Sequence, residues 1–215
     1  MVQDAAATSQ PTARATEKKR EILRAASRVF RAQGLHSTTM RDIAAELGMH
    51  VGNLYYYFSG KDALLAFCQQ DALEALLALA ESVRGGPGEA DEKLRRLIIG
   101  HVVCLNEQTP GSLAHLEAEA LPPPYRDEVL AGRATYEAAI LDILEEGMTR
   151  GVLRPFDSRV VAKAILGAAN WTVKWYRTGG DRTAAEIGAE IADFLVCGLR
   201  LEANAPTTAE ARDES

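Results

Sequence analysis

The chain has few of the groups that metal sites, disulfide frameworks and membrane insertion require. Its 215 residues include three cysteines and four histidines. Cys68, Cys104 and Cys197 lie far apart, form no CxxC pair and have no histidine at ligand spacing. That pattern predicts buried free thiols in a reducing compartment. His36, His50, His101 and His115 do not cluster, so no metal triad is expected. No stretch approaches the about 18–20 uninterrupted apolar residues of a spanning helix. Residues 1–15 lack the apolar core of a signal peptide. The expectation is a cytoplasmic protein with no membrane contact. Nucleophile elbow, phosphate-cradling glycine loop, alternating strand and tandem repeat are all missing. Glu117 and Glu119 are two apart, so on a helix they point to different sides and make no acid–base pair. Neither an enzyme nor a cofactor is expected.

What is present is a globular composition, 47% hydrophobic and 25% charged. The net charge of −6 is unevenly spread. Residues 1–61 hold nine Lys/Arg and five Asp/Glu, a surplus of +4, which leaves −10 for the rest. A basic head on an acidic body lets one end meet phosphate while the other stays away.

Residues 1–15 are rich in Ala, Thr, Ser and Gln without periodicity and read as a disordered basic arm. From there the period is helical. Ile22, Leu23, Ala26, Val29 and Phe30 share one face of a helix over 17–33, and Gly34 suits its C-cap. Short helices follow over 39–47 and 51–57, with Ser37, Thr38 and Thr39 offering N-cap oxygens. A long helix opens at Lys61 and runs to 83, before the Gly85-Gly86-Pro87-Gly88 loop. Later segments are 91–107, 112–120, 124–150, 158–177 and 184–201. Asp157 is a plausible N-cap, and Thr183 with Glu186 matches a capping box. Residues 203–215 read as a loose polar tail. The fold expected is all-α with about nine helices: a helix-turn-helix domain over 16–61 and a ligand-binding and dimerisation domain over 62–202.

Residues 39–58 carry the chemistry. Two short helices cannot bury themselves and need the first helix as a third wall. Ala44 is small enough for a close crossing, and Gly48 stands where the turn requires φ > 0. Ile43, Leu47, Leu54 and Phe58 supply the core. This is a helix-turn-helix pattern, in which the second helix enters the DNA major groove.

From Glu21 to Leu65 the residues resemble the TetR family of repressors. The match includes Gly34, Thr38-Thr39, Arg41-Asp42-Ile43-Ala44, Leu47-Gly48, Leu54-Tyr55-Tyr56-Tyr57-Phe58, Lys61 and Leu64-Leu65. The resemblance implies that Thr39 holds a phosphate and that Arg41 reaches a phosphate or a guanine edge. It implies that His50, Val51, Gly52, Asn53 and Tyr56 face the groove, and that Tyr55, Tyr57 and Lys61 clamp phosphates. Arg14, Lys18, Lys19 and Arg20 would track phosphate or minor groove. For the tyrosines, packing of the small domain is the competing role. A two-fold homodimer on a near-palindromic double-stranded operator is expected.

By the same resemblance the last two long helices pair with their copies. Ala162, Ala164, Gly167, Ala168 and Ala169 are small. Ile187, Ile191, Phe194, Leu195 and Leu199 are large, with Gly188, Ala192 and Gly198 allowing close approach. The middle helices would enclose a small-molecule effector. Candidate lining residues are His101, Cys104, Leu105, Leu116, Tyr136, Ile140, Leu144, Asn170, Trp171 and Trp175. The stretch from Asn170 to Gly180 is similar to that of TetR-family members sensing acyl-coenzyme A thioesters of fatty-acid or sterol breakdown. Trp171 and Trp175 would flank an acyl chain or stack on adenine, with Lys174, Arg177 and Arg133 meeting phosphates. The two tryptophans serve equally well as dimer anchors. The alternatives are a multidrug-sensing repressor of an efflux pump and a regulator triggered by a protein partner.

Overall fold

The computed structural model describes residues 13–109, 115 and 121–201. The expectations for residues 1–12 of the arm, the segment 112–120 with Leu116, Glu117 and Glu119, and the tail 203–215 lie outside the described residues. Eight α-helices and one π-helical turn are present among them. They are α1 (Ala13–Gln33), α2 (Met40–Glu46), α3 (Val51–Tyr57), α4 (Lys61–Gly85) and α5 (Ala90–Val103). The π turn Cys104–Gln108 follows, then α6 (Tyr125–Thr149), α7 (Ser158–Trp175) and α8 (Ala184–Cys197). No strand forms among the described residues, and Leu153 and Arg200 make one isolated antiparallel bridge. Two compact units divide the chain, Met1–Ala72 with Pro110–Asp127 and Leu73–Thr109 with Glu128–Ser215. The division falls inside α4.

In the first unit, α1 is amphipathic and buries Ile22, Leu23, Ala26, Val29 and Phe30. It begins at Ala13, so the last residues assigned to a disordered arm are helical. Gly34, at φ +84°, ends it in the left-handed region, its N–H donating to the Phe30 carbonyl at 2.9 Å. Thr39 caps α2. Its Oγ1 accepts from Asp42 N, and the Asp42 carboxylate accepts from Thr39 N at 2.8 Å. Gly48 takes φ +63°, turning the chain so that Met49 N donates to Ala44 O at 3.0 Å. Ile43, Ala44, Leu54 and Phe58 are buried, while Leu47 is half-buried.

The second unit is built on a close α5–α8 contact. Ala184, Gly188, Ala192 and Val196 form a buried i, i+4 stripe on α8. A Cβ on Gly188 would stand 3.0 Å from Ile99 Cα. Gly188 and Ala192, expected at a two-fold interface, therefore pack inside the chain. Small residues allow close approach by any helix, and here α5 takes it. The caps fall as expected: Asp157 accepts from Arg159 N and Val160 N, and Thr183 with Glu186 makes a capping box. Helix ends do not match. The helix expected to 107 changes to a π turn at Cys104, and α7 stops at Trp175, leaving Arg177 beyond it. By length and hydropathy α4 could cross a bilayer, but half of that window is buried within the protein.

Candidate nucleic-acid interface and effector site

The exposed side of the head is set by what α3 must bury. Leu54 on α3 and Phe58 at its C-cap face the core, so Gly52, Asn53 and Tyr56 occupy the opposite line and are exposed. Tyr56 is 85% exposed and Tyr55 50%. Val51 and Tyr57 are half-buried at the flanks, and Tyr57 meets the Tyr56 ring edge-on, centroids 5.1 Å apart. His50 is the N-cap of α3 yet makes no side-chain cap bond, so its ring is left to reach outward. Arg41 is exposed and makes no ion pair among the described residues. The head thus brings Arg41, His50, Gly52, Asn53, Tyr55 and Tyr56 to its surface.

Other groups expected at DNA are engaged within the head. Thr39 Oγ1 donates to Asp42 at 2.7 Å, and that bond holds the Asp42 carboxyl below its usual range. Lys61 Nζ donates to the His36 carbonyl at 3.1 Å. Lys18 pairs with Glu21 at 2.7 Å. Lys19 lies over the Phe58 and Phe67 rings, 5.7 and 5.0 Å from their centroids. Lys18 and Lys19 sit on α1 rather than in a free arm. Arg28 bonds Glu46 at 2.6 Å and so ties α1 to α2.

In the second unit the described residues split into an interior and an exterior set. His101, Cys104, Leu105, Tyr136, Ile140 and Leu144 are buried, and Asn170 is half-buried beside them. His101 Nδ1 lies 3.0 Å from the Tyr136 hydroxyl, and its Nε2 lies 3.0 Å from Asn170 Oδ1. Burial pushes the imidazole down to about 4, so the ring is neutral at pH 7. Desolvation also raises the Tyr136 phenol above its ordinary value. No Asp, Glu, Lys or Arg is buried among the described residues. His101, Tyr136 and Asn170 are neutral and hydrogen-bonded, and Arg133 Nε, one turn before Tyr136 on α6, is buried on the same side.

Trp171, Lys174, Trp175 and Arg177 are outside. Trp171 is 61% exposed and Trp175 49%. They share a face, as i, i+4 spacing requires, but it is the face away from His101. The helix turns about 100° per residue, so Asn170 and Trp171 cannot both point inward. The pocket implied by the resemblance holds both, and only Asn170 lies beside the buried set.

No residue pattern marks the π turn. Its i→i+5 bond, Thr109 N to Cys104 O at 2.9 Å, inserts one extra residue after α5. Asn106 and Glu107 are thereby turned toward α7 and α8. Asn106 Nδ2 donates to Val102 O at 2.8 Å and Thr172 Oγ1 at 2.7 Å. Glu107 accepts from the Tyr176 hydroxyl at 2.6 Å and from Ala184 N at 3.0 Å, capping α8 from another helix. The Tyr176 bond, then the Ala184 bond, hold its carboxyl below the usual range. His101–Asn170, Asn106–Thr172 and Glu107–Tyr176 together fasten the C-terminal half of α7 to α5 and its π turn.

Comparison with known proteins places both units. Residues 22–67 match the family model for bacterial regulatory proteins of the tetR family. Residues 87–199 match that for a tetracyclin repressor-like C-terminal domain. The transcriptional repressor KstR2 of Mycolicibacterium smegmatis is 28% identical over 89% of this chain and 93% of its own. The solved structure of the ketosteroid transcriptional regulator KstR2 of Mycobacterium tuberculosis superposes with TM-score 0.79 at 25% identity, over 90% and 98% of the two chains. AibR, solved with isovaleryl coenzyme A and operator DNA, has TM-score 0.73 at 23% identity, over 83% and 98%. An all-helical chain with an exposed recognition helix, matched along both units, belongs to the TetR family of bacterial transcriptional regulators.

Proposed function

We propose that this regulator is a homodimeric repressor released from its operator by an acyl-CoA thioester. The observation that carries the effector class is the character of the interior around His101, Tyr136 and Asn170. It offers neutral hydrogen bonds, and no Asp or Glu is buried among the described residues. A hydrophobic cation would find no buried carboxylate among the described residues, and desolvating it unpaired is costly. An acyl group needs none. The polyanionic part of the thioester would stay outside, near Lys174 and Arg177, with the exposed Trp171 and Trp175 as stacking surfaces. KstR2 as a named repressor and the isovaleryl-CoA complex of AibR support the same reading.

The DNA-reading role falls to Arg41, His50, Val51, Gly52, Asn53 and Tyr56, with Thr39, Tyr55, Tyr57 and Lys61 at phosphates. Dimerisation falls to α7 and α8. Val160, Ala164 and Gly167 make an exposed apolar line on α7, and Phe194 is 82% exposed on α8. Apolar faces of this extent call for a partner, and a two-fold copy is the partner that a palindromic site requires.

The test is fluorescence-anisotropy binding to DNA upstream of the chain's own gene and its neighbours. Specific binding released by acyl-CoAs, but not in Trp171→Ala, supports the reading. Release by hydrophobic cations alone moves the effector to the drug class. Retained affinity in Arg41→Ala on a selected random-DNA pool would sink the assignment of the head.

A further inference from the structure

We propose that Asn170 is a specificity-determining residue of the effector site, donating hydrogen bonds to a carbonyl-type acceptor on the effector. This rests on the reading of the α5–α7 interior as that site, and it adds the chemistry the site selects.

The inference follows from counting protons. His101 is sealed in the unit and neutral, so its ring carries one N–H and one bare nitrogen. Its Nε2 faces the oxygen of the Asn170 carboxamide at 3.0 Å, and that oxygen only accepts. Nε2 therefore holds the hydrogen. Nδ1 is bare, and the Tyr136 hydroxyl donates to it across 3.0 Å. Every proton of the triad except those on the Asn170 amino group is then committed. The histidine, anchored on its far side by Tyr136, fixes which way the carboxamide faces and turns its two N–H donors away from the ring.

Those donors have no acceptor among the described residues, and Asn170 is half-buried rather than sealed. The contrast is Asn106, whose Oδ1 also has no partner but is enclosed. An arriving molecule meets the first and not the second. A half-buried donor pair on a rigid support, with no buried carboxylate among the described residues, selects an acceptor such as a thioester or ketone oxygen. An ammonium would meet donors with donors. Reaching the amino group in place of water recovers a bond of ordinary strength, about tenfold in affinity.

The experiment uses the full-length dimer bound to its operator fragment and two matched probes. Octanoyl-CoA carries the thioester oxygen, and S-octyl-CoA, the thioether, lacks only that oxygen. Asn170→Asp keeps an acceptor for His101 Nε2 and removes both donors. Its added charge acts on both probes, so their ratio is the readout. Asn170→Ala serves as a second variant, and thermal melting checks that each is folded.

The expected result is that octanoyl-CoA releases DNA at about tenfold lower concentration than the thioether. In both variants the two probes should become equal. Equal potency in the unmodified protein, or a gap that survives in both variants, overturns the proposal and leaves the acyl-CoA reading standing. Failure of both probes to release DNA overturns the acyl-CoA reading instead. The role of Asn170 is then decided by calorimetry with 2-octanone. Binding weakened about tenfold in Asn170→Asp supports it, and unchanged or absent binding overturns it.

Discussion

Protonating His101 should loosen the body of this regulator at mildly acidic pH. Burial holds the folded imidazole at about 4, against an ordinary 6.5. The folded chain therefore refuses a proton that the unfolded chain accepts. For a base with a depressed folded pKa, the stability contribution is complete above 6.5 and declines as pH falls toward 4. Each pH step inside that window costs about 1.4 kcal/mol. The full loss is about 3 kcal/mol, of which about 2 kcal/mol has gone between pH 7 and pH 5. The assay is urea unfolding at pH 7 and pH 5, at one protein concentration because the dimer couples to folding. The reference protein is His101→Gln, which has no ring to titrate. Asp42, Glu107 and Glu186, whose carboxyls are held low by hydrogen bonds, lose their contributions in both proteins and cancel. The unmodified chain should lose about 2 kcal/mol more than the variant on acidification. Equal losses would refute the claim that His101 is buried and neutral.

Other perturbations test single features. Gly48→Ala places a side chain at φ +63° and should destabilise the head by about 1 kcal/mol, read as a lower melting temperature and weaker operator binding. Thr39→Ala removes a capping box and should cost about 1 kcal/mol, with faster hydrogen exchange at the first turn of α2. Gly188→Ala presses a methyl to 3.0 Å from Ile99 Cα and should cost about 1–3 kcal/mol. Gly167→Ala meets nothing within 4 Å in one chain, so any loss there would report the partner subunit. Phe194→Asp should give a folded monomer by sedimentation that no longer binds a two-half-site operator, and a dimer of normal affinity would remove α8 from the interface.

Periodicity made the helices legible because each buries one face, and the caps at Thr39, Asp157 and Thr183 announced themselves through oxygen-bearing side chains. The head was the most readable part. Its turn needs a residue at positive φ and its recognition helix must bury Leu54, which leaves few arrangements. The body was less readable because an apolar face does not name what covers it. Gly188 and Ala192 have the composition of an intersubunit contact and turned out to face α5. The resemblance groups Trp171 with Asn170, yet adjacent helical residues diverge. The π turn had no marker at all, since an i→i+5 bond depends on where Asn106, Glu107 and Thr109 find partners far along the chain.

That turn bears on how an effector would be felt. Glu107 caps α8 while bonded to Tyr176 at the end of α7, and Asn106 and His101 bond the two preceding stretches of α7. The same helix carries the exposed line Val160, Ala164 and Gly167 about a quarter-turn round from Asn170. An effector that engages Asn170 therefore acts on a helix whose neighbouring face is the proposed seam between subunits. No long chain of contacts is needed, because one rigid element has both sites on it. What is needed is a difference in affinity between two positions of α7. The Asn106–Thr172 and Glu107–Tyr176 bonds lie between the effector residue and the end of the helix, so they set how readily α7 can take a second position. Asn106→Leu breaks the buried bond to Thr172 without touching Asn170. If α7 moves on release, this variant should shift the effector concentration for DNA release while leaving operator affinity near normal. If it shifts neither, α7 is a static wall, and the signal reaches the head by another route.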